Sequence, residues 1–325
     1  MQIKVYLQNN SLSLDYKKKI SVIVPCFNEE ESLVAFNQTL FQHLPEIYSY
    51  EVIYVNDGSR DKTLPVILSL AKANTTVKYI SFSRNFGHQN ALKAGYDFAS
   101  GDCAISLDAD LQHPPEVIPE LIAKWEEGFE IVNTIRLDHN SITAKKKISS
   151  RIFYKVMRSL SDVQIENGMA DFRLVDKKVL KQLKLFRENF LFFRGIIPWM
   201  GFRQANIEFK ANDRFAGTTK YTLKKMLTLA ATGVTAFSVK PLRLSIYLGS
   251  FIALLSFLYG FYAVIFFLFT DKVITGWTSV IISVLFVGGI NLLMLGVIGE
   301  YLGKLFIENK RRPNYLISES NLFEI

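Results

Sequence analysis

Residues 103–113 read Cys103-Ala104-Ile105-Ser106-Leu107-Asp108-Ala109-Asp110-Leu111-Gln112-His113. A short, mostly apolar run stops abruptly at two aspartates one residue apart. The same form occurs three times upstream. Residues 20–24 lead into Pro25-Cys26-Phe27-Asn28-Glu29-Glu30-Glu31, residues 51–55 into Asn56-Asp57-Gly58-Ser59, and residues 77–82 into Ser83-Arg84-Asn85-Phe86-Gly87-His88. All four runs have the length and β-branched content of buried strands. Between them, Leu33, Phe36, Leu40 and Leu44, and then Leu64, Ile67, Leu68 and Ala71, fall at helical spacing. Alternating strands and helices predict an α/β domain with a mostly parallel sheet and helices on both faces. Ligands of such sheets bind beyond the carboxyl ends of the strands, so the four polar clusters are predicted to share one edge.

The Asp108-x-Asp110 pair carries the most chemistry. Two carboxylates just past a buried strand make a hard oxygen site suited to Mg²⁺ or Mn²⁺, ions held by one or two carboxylates together with substrate phosphates. Gln112 can add a further oxygen. The chain has two cysteines, Cys26 and Cys103, each inside an apolar run. Both are expected to be buried free thiols of a reducing compartment, and no Cys/His spacing suits a transition metal. The first residues lack the apolar core of a signal peptide, and none is expected.

The end of the chain follows a different pattern. Residues 244–269 contain no charged residue, and neither do residues 273–299. About 20 apolar residues cross a bilayer as a helix, so both runs are long enough. Only Thr270, Asp271 and Lys272 separate them, which predicts a hairpin of two transmembrane helices, about 244–269 and 275–299. Lys224, Lys225, Lys240 and Arg243 precede the first span, and Lys304, Lys310, Arg311 and Arg312 follow the second. The excess of positive charge puts both flanks on the cytoplasmic side of an inner membrane, as a multi-pass protein with a cytosolic catalytic domain. Glycines 288, 289, 296 and 299 suit helix association and a homo-oligomer. The expected organisation is a cytosolic domain over 1–213, a juxtamembrane amphipathic segment over 214–243, the spans within 244–303 and a cytosolic tail over 304–325. Two stretches, 145–160 and 221–237, pair an apolar stripe with basic residues and suit helices in the headgroup region. The formal net charge of +8 is concentrated near the membrane segments, which speaks against a nucleic-acid partner.

Taken in order, Val22-Ile23-Val24-Pro25-Cys26-Phe27-Asn28-Glu29, Val55-Asn56-Asp57-Gly58-Ser59 and Asp108-Ala109-Asp110-Leu111-Gln112-His113-Pro114 resemble the family-two glycosyltransferases of GT-A fold. With the hairpin, the resemblance is to the polyprenyl-phosphate branch: bactoprenol glucosyltransferases and relatives of dolichyl-phosphate mannose synthase. It covers nearly the whole chain. It implies that Pro25, Phe27, Glu29 and Asp57 form the nucleotide pocket, with Arg84 and Asn85 lining it. It implies a metal and diphosphate site at Asp108, Ala109 and Asp110, with Gln112 beside it. Ala170-Asp171-Phe172-Arg173 matches the acceptor segment, where an aspartate is the usual candidate base. Arg214 and Gly217-Thr218-Thr219-Lys220-Tyr221 match the basic segment before the membrane. One departure stands out. Relatives often carry two arginines after the fifth strand, whereas Arg136 is followed by Leu137-Asp138-His139-Asn140.

The implied enzyme is an inverting hexosyltransferase that moves a sugar from a nucleotide sugar, a UDP-hexose, to a polyprenyl phosphate such as undecaprenyl phosphate, for modification of cell-envelope glycans. Asp110, Asp171 and Arg214 are the expected catalytic residues, and Arg173, Arg214 and Lys220 the expected ligands of the lipid phosphate. A phosphate monoester with a second pKa of about 6 is already largely ionised at neutral pH, so Asp171 has little proton to remove. Two alternatives stay open: a GDP-mannose-dependent polyprenyl-phosphate mannose synthase, and a non-catalytic nucleotide-binding membrane scaffold.

Overall fold

A computed structural model describes residues 17–137, 168–189, 191–210, 239–270 and 276–323. The expected catalytic and lipid-phosphate residues Arg214 and Lys220, and the amphipathic stretches 145–160 and 221–237, lie outside the described residues. The described residues fall into two compact units, a sheet domain that includes the residues from Pro313 onward, and a unit containing the two long helices.

In the sheet domain, β1 (Lys19–Cys26), β2 (Ser49–Asn56), β3 (Val77–Phe82) and β4 (Cys103–Ser106) are the four strands expected from the apolar runs. They alternate with α1 (Leu33–His43), α2 (Thr63–Ala73) and α3 (His88–Phe98). A 3₁₀ turn at Pro115–Val117 and α4 (Ile118–Glu126) follow β4. The chain continues through β5 (Ile131–Leu137), β6 (Met169–Asp176), α5 (Lys177–Leu183), α6 (Phe193–Trp199) and β7 (Gln204–Lys210). The eighth strand, β8 (Ile317–Ser320), comes from beyond the apolar helices.

The sheet order is β7-β5-β6-β4-β1-β2-β3-β8. β1 pairs in parallel with β2 and β4, β2 with β3, and β5 with β7. This is the mostly parallel sheet expected, with two antiparallel insertions. β6 runs against both β4 and β5, and β8 against β3. Ile20, Val22 and Val24 of β1 join Leu33, Phe36 and Leu40 of α1 and Leu121 and Trp125 of α4 in one core cluster. Ile23, on the opposite face, meets α3. There a Cβ on Gly95 would stand 2.1 Å from Ile23 Cγ2. A strand buried on both faces reads as the unbroken apolar run that opened β1 and β2. Cys26 and Cys103 are buried and free, as expected.

β8 is held by more than its ladder. Ser83 N–H donates to the Leu316 carbonyl (3.0 Å). Tyr315 stacks on Phe82 with ring centroids 5.0 Å apart, and its hydroxyl donates to Asp97 Oδ2 at 2.9 Å. Phe323 stacks on Phe98 at 4.7 Å.

In the second unit, α7 (Lys240–Thr270) and α8 (Trp277–Asn309) carry segments of mean hydropathy 2.0 (Ser245–Phe266) and 2.5 (Val280–Asn309), neither of them buried within the chain. Both are long and apolar enough to cross a membrane. α8 continues past Gly299 through Glu300, Lys304 and Glu308, beyond the limit expected for the span. At 1.5 Å per residue it reaches about 50 Å, so its charged end extends past a hydrocarbon core of about 30 Å.

Candidate functional site

The order β3-β2-β1-β4 reverses direction of growth at β1, and the parallel strands place Cys26, Asn56, Phe82 and Ser106 at one sheet edge. A crevice at such a switch point is where doubly wound sheets bind ligands.

The loops after β1 and β2 are stitched together. Asn28 adopts a left-handed backbone (φ 56°). Its N–H donates to Ser59 Oγ (3.0 Å) and its Oδ1 accepts from the Arg60 N–H (2.9 Å). Glu29 N–H donates to Thr63 Oγ1 at 2.8 Å, and the Glu29 carboxylate accepts from Ser32 Oγ at 2.9 Å. Pro25 is buried, while Phe27 is 37% exposed on this rim.

Asp57 is 2% exposed. Its Oδ1 accepts from the Phe86 N–H (2.6 Å), and its Oδ2 from the Gly87 N–H (3.0 Å) and Asn85 Nδ2 (2.9 Å). Burial raises this carboxyl group's pKa, against the pull of those bonds. Asp57 therefore clamps the loop after β3. The adjoining Gly58 has φ +62°, and a Cβ there would lie 2.3 Å from the Arg84 carbonyl carbon. Arg84 lies with its guanidinium 4.1 Å from the Phe86 ring centroid.

Asp108 and Asp110 sit in the turn after β4. Asp110 Oδ1 accepts from the Gln112 N–H (3.1 Å), and Leu111 between them has φ 60°. A bulky residue held left-handed costs of order 1–3 kcal/mol and recurs at functional turns. Gln112 Oε1 lies 3.5 Å from Arg136 Nη1, so the lone arginine of β5 still reaches this turn. Ala109 is 2% exposed. Asp108 Oδ1 lies 2.8 Å from His88 Nε2, at the start of α3. His113 Nδ1 accepts the Asp108 N–H at 3.0 Å. Its proton is then on Nε2, and the 3.5 Å approach of Nδ1 to Asp108 Oδ2 is not an ion pair. Burial would raise the Asp108 carboxyl, and the charges of His88 and Arg194 lower it. Burial works against a charged His88 as well, yet Asp108 and Asp171 push it up to about 9.

β6 brings in the second acidic centre. Ser106 of β4 pairs with Arg173, so the start of antiparallel β6 lies beside the end of β4. Asp171 is 5% exposed. Its Oδ2 accepts from Arg194 Nε (3.1 Å) and Nη2 (2.9 Å), and its Oδ1 from Arg173 Nη2 (3.3 Å). Burial would raise its pKa, and the two guanidinium groups and His88 together lower it. A carboxylate enclosed this way is a poor proton acceptor. Arg173 is fully buried, bonded to the carbonyls of Ala170 (2.7 Å) and Phe193 (3.3 Å). Arg173, expected to meet the lipid phosphate, has no solvent exposure here and spends these donors on backbone carbonyls. His88, Gln89 and Arg194 were not assigned from sequence. His88 closes the polar cluster after β3, a usable signal; Arg194 stands in Phe192-Phe193-Arg194-Gly195, which offers none.

Among the described residues no three His, Cys, Asp or Glu side chains converge as a metal cage. The oxygen donors of Asp108 and Asp110 do fit a hard divalent cation that completes its shell with phosphate oxygens.

The sequence model described as glycosyl transferase family 2 matches residues 21–184, and that of the GtrB C-terminal hairpin matches residues 240–305. The Bacillus subtilis protein named uncharacterized glycosyltransferase YkcC is 43% identical over 305 residues, which span 92% of this chain and 93% of that one. The SfII prophage-derived bactoprenol glucosyl transferase of Shigella flexneri is 42% identical over 305 residues, spanning 93% of this chain and 98% of that one. A prophage bactoprenol glucosyl transferase homolog of Escherichia coli is 41% identical over 301 residues, 92% of this chain and 98% of the relative.

Proposed function

The chain belongs to glycosyl transferase family 2, and from that premise we propose that it transfers a sugar from a nucleotide sugar, a UDP-hexose, to a polyprenyl phosphate on the cytoplasmic leaflet of the inner membrane. One observation carries the choice of acceptor: similarity to bactoprenol glucosyl transferases extends through the hairpin, with 93% of this chain and 98% of the relative aligned. The apolar helices α7 and α8 support it, since an acceptor of that class resides in a bilayer.

Pro25, Phe27 and Glu29 line the nucleotide end in this reading. Asp57 acts there by fixing the loop of Arg84, Asn85 and Gly87 that faces the same ligand. Asp108 and Asp110, with Gln112 beside them, would hold Mg²⁺ or Mn²⁺, which when bound neutralises charge on the leaving diphosphate. An oxygen of the lipid phosphate attacks the anomeric carbon as the bond to the nucleoside diphosphate breaks, inverting configuration through an oxocarbenium-like transition state. The nucleophile arrives ionised, and Asp171 is held by two guanidinium groups, so no general base is needed. Arg214 and Lys220 of the juxtamembrane segment add positive charge for the acceptor.

The test is transfer of radiolabel from a panel of nucleotide sugars into organic-extractable lipid by the full chain in detergent or nanodiscs, with and without chelator. Transfer from a UDP-hexose that stops on chelation is expected. Asp110→Asn should lower kcat at least 100-fold in a protein that melts like the wild type; near-normal turnover would remove Asp110 from the metal site.

A further inference from the structure

The loop that follows β3 is held on the side of β2 by Asp57 and by the close packing of Gly58. The sheet order puts β8 on its other side. There the chain beyond α8, a helix that ends at Asn309, presents Tyr315. The Tyr315 ring stacks on Phe82, the last residue of β3, with centroids 5.0 Å apart and planes 13° from parallel. Phe82 in turn meets the Phe86 ring edge-on at 5.7 Å, and the guanidinium of exposed Arg84 lies 4.1 Å from the Phe86 centroid. Four side chains thus run in series from the C-terminal segment to an arginine on the rim of the crevice.

The same tyrosine reaches the element at the far end of the loop. Ser83–Gly87 leads directly into α3, whose last turn carries Asp97. The Tyr315 hydroxyl donates to Asp97 Oδ2 (2.9 Å). Asp97 is also ion-paired with buried Lys93, which donates to the Leu183 carbonyl at 3.1 Å. One residue therefore ties the strand before the loop to the helix after it. Within the loop, Ser83, Arg84 and Asn85 are exposed, so it buries little apolar surface of its own. Its supports are the Ser83 N–H on the Leu316 carbonyl (3.0 Å), the Phe86 and Gly87 N–H groups on Asp57, and the Phe86 ring on Phe82. A binding loop with an exposed crest needs such support to meet its ligand already ordered.

We propose that Tyr315 is a positioning residue for the donor: by fixing Phe82 and α3 it sets the loop Ser83–Gly87, with Arg84 and Asn85, in the conformation that receives the nucleotide. The inference rests on the nucleotide-sugar reading above. Tyr315 acts through Phe82 and Phe86, and the series ends on the loop that Asp57 clamps, so the effect falls on the donor. The acceptor side is spared. α3 also carries His88 and Gln89, but these have anchors of their own, His88 on Asp108 (2.8 Å) and Gln89 on the Phe193 N–H (2.9 Å).

The experiment compares the full-length wild type with Tyr315→Ala, Tyr315→Phe and Phe323→Ala in nanodiscs, well below every melting temperature. Phe323→Ala is the control, because it removes a stack of the same segment, on Phe98, that does not involve β3. The readouts are UDP binding, KM for the nucleotide sugar selected by the panel above and for farnesyl phosphate, and hydrogen exchange of the Phe86 and Gly87 amides. Tyr315→Ala should weaken UDP and raise the donor KM about fivefold or more, speed those two amides about tenfold, and leave the acceptor KM within twofold. Tyr315→Phe, which keeps its ring on Phe82, should bind UDP within twofold of the wild type. Phe323→Ala should lower the melting temperature and leave UDP binding within twofold. Tyr315→Leu, which keeps apolar cover, takes the place of Tyr315→Ala if that variant does not fold. Unchanged UDP binding and amide exchange at Tyr315 would overturn the inference alone. Equal losses in Phe323→Ala, or an equal rise in acceptor KM, would also overturn it and leave Tyr315 a role in overall stability only. A wild type that does not bind UDP would overturn the donor reading and the inference with it.

Discussion

Gly58 and His88 show how single residues hold the loops of the crevice. Gly58 combines φ +62° with backbone packing that leaves no room for a Cβ. Gly58→Ala is expected to cost about 1–2 kcal/mol from the left-handed backbone alone, with the clash against Arg84 added. It should lower the melting temperature and weaken UDP binding together; an unchanged melt would mean the turn relaxes freely. His88 is held at about 9 against an ordinary 6.5. Its folded value lies above its free value, so its stabilisation is complete below pH 6.5 and is lost as pH rises through 9. With the ring 43% exposed, solvent screening reduces that contribution to about 1 kcal/mol. Metal-free protein should therefore lose stability between these pH values, and His88→Gln should flatten that part of the curve. Asp57, Asp108 and Asp171 were all legible as motif positions. Their partners were legible only in part, because Arg194 meets Asp171 across 23 residues of chain and periodicity speaks only to neighbours.

The elements divide by the same logic. β1 to β4 could be read from the chain because buried parallel strands leave continuous apolar runs, and α1 and α2 because helices leave a stripe. β6 was recognisable only by its acceptor motif, and its antiparallel course has no local signature. β8 is four residues, Ile-Ser-Glu-Ser, too short and polar to announce a strand, and the Tyr79 carbonyl that accepts from its Ser320 hydroxyl lies 241 residues away. Its contacts yield a prediction. Tyr315→Ala, which loses the stack on Phe82 and the bond to Asp97, should destabilise the sheet domain by about 2 kcal/mol in thermal melts. Tyr315→Phe should lose about half of that. Removing residues 313–323 should expose the edge of β3 and promote aggregation.

For the whole molecule, β8 belongs to the same sheet as β1, although α7 and α8 stand between them in the chain. A chain that leaves the sheet and rejoins it must cross any bilayer between an even number of times, as the proposed hairpin does. Cys26 and Cys103 are buried, so introduced cysteines can be read against a quiet background. In intact cells, Asp271→Cys should react with an impermeant maleimide and Ser318→Cys should react only after lysis; labelling of both in intact cells would reject the hairpin. The place of β8 also has a consequence in time. At about 5–20 residues per second on the ribosome, the edge of β3 waits roughly 12–50 s for the strand that covers it. Within that interval both apolar helices must be made. The sheet therefore stays one strand short until both long helices have been synthesised, so no copy can complete its sheet before it already carries two apolar surfaces in need of cover.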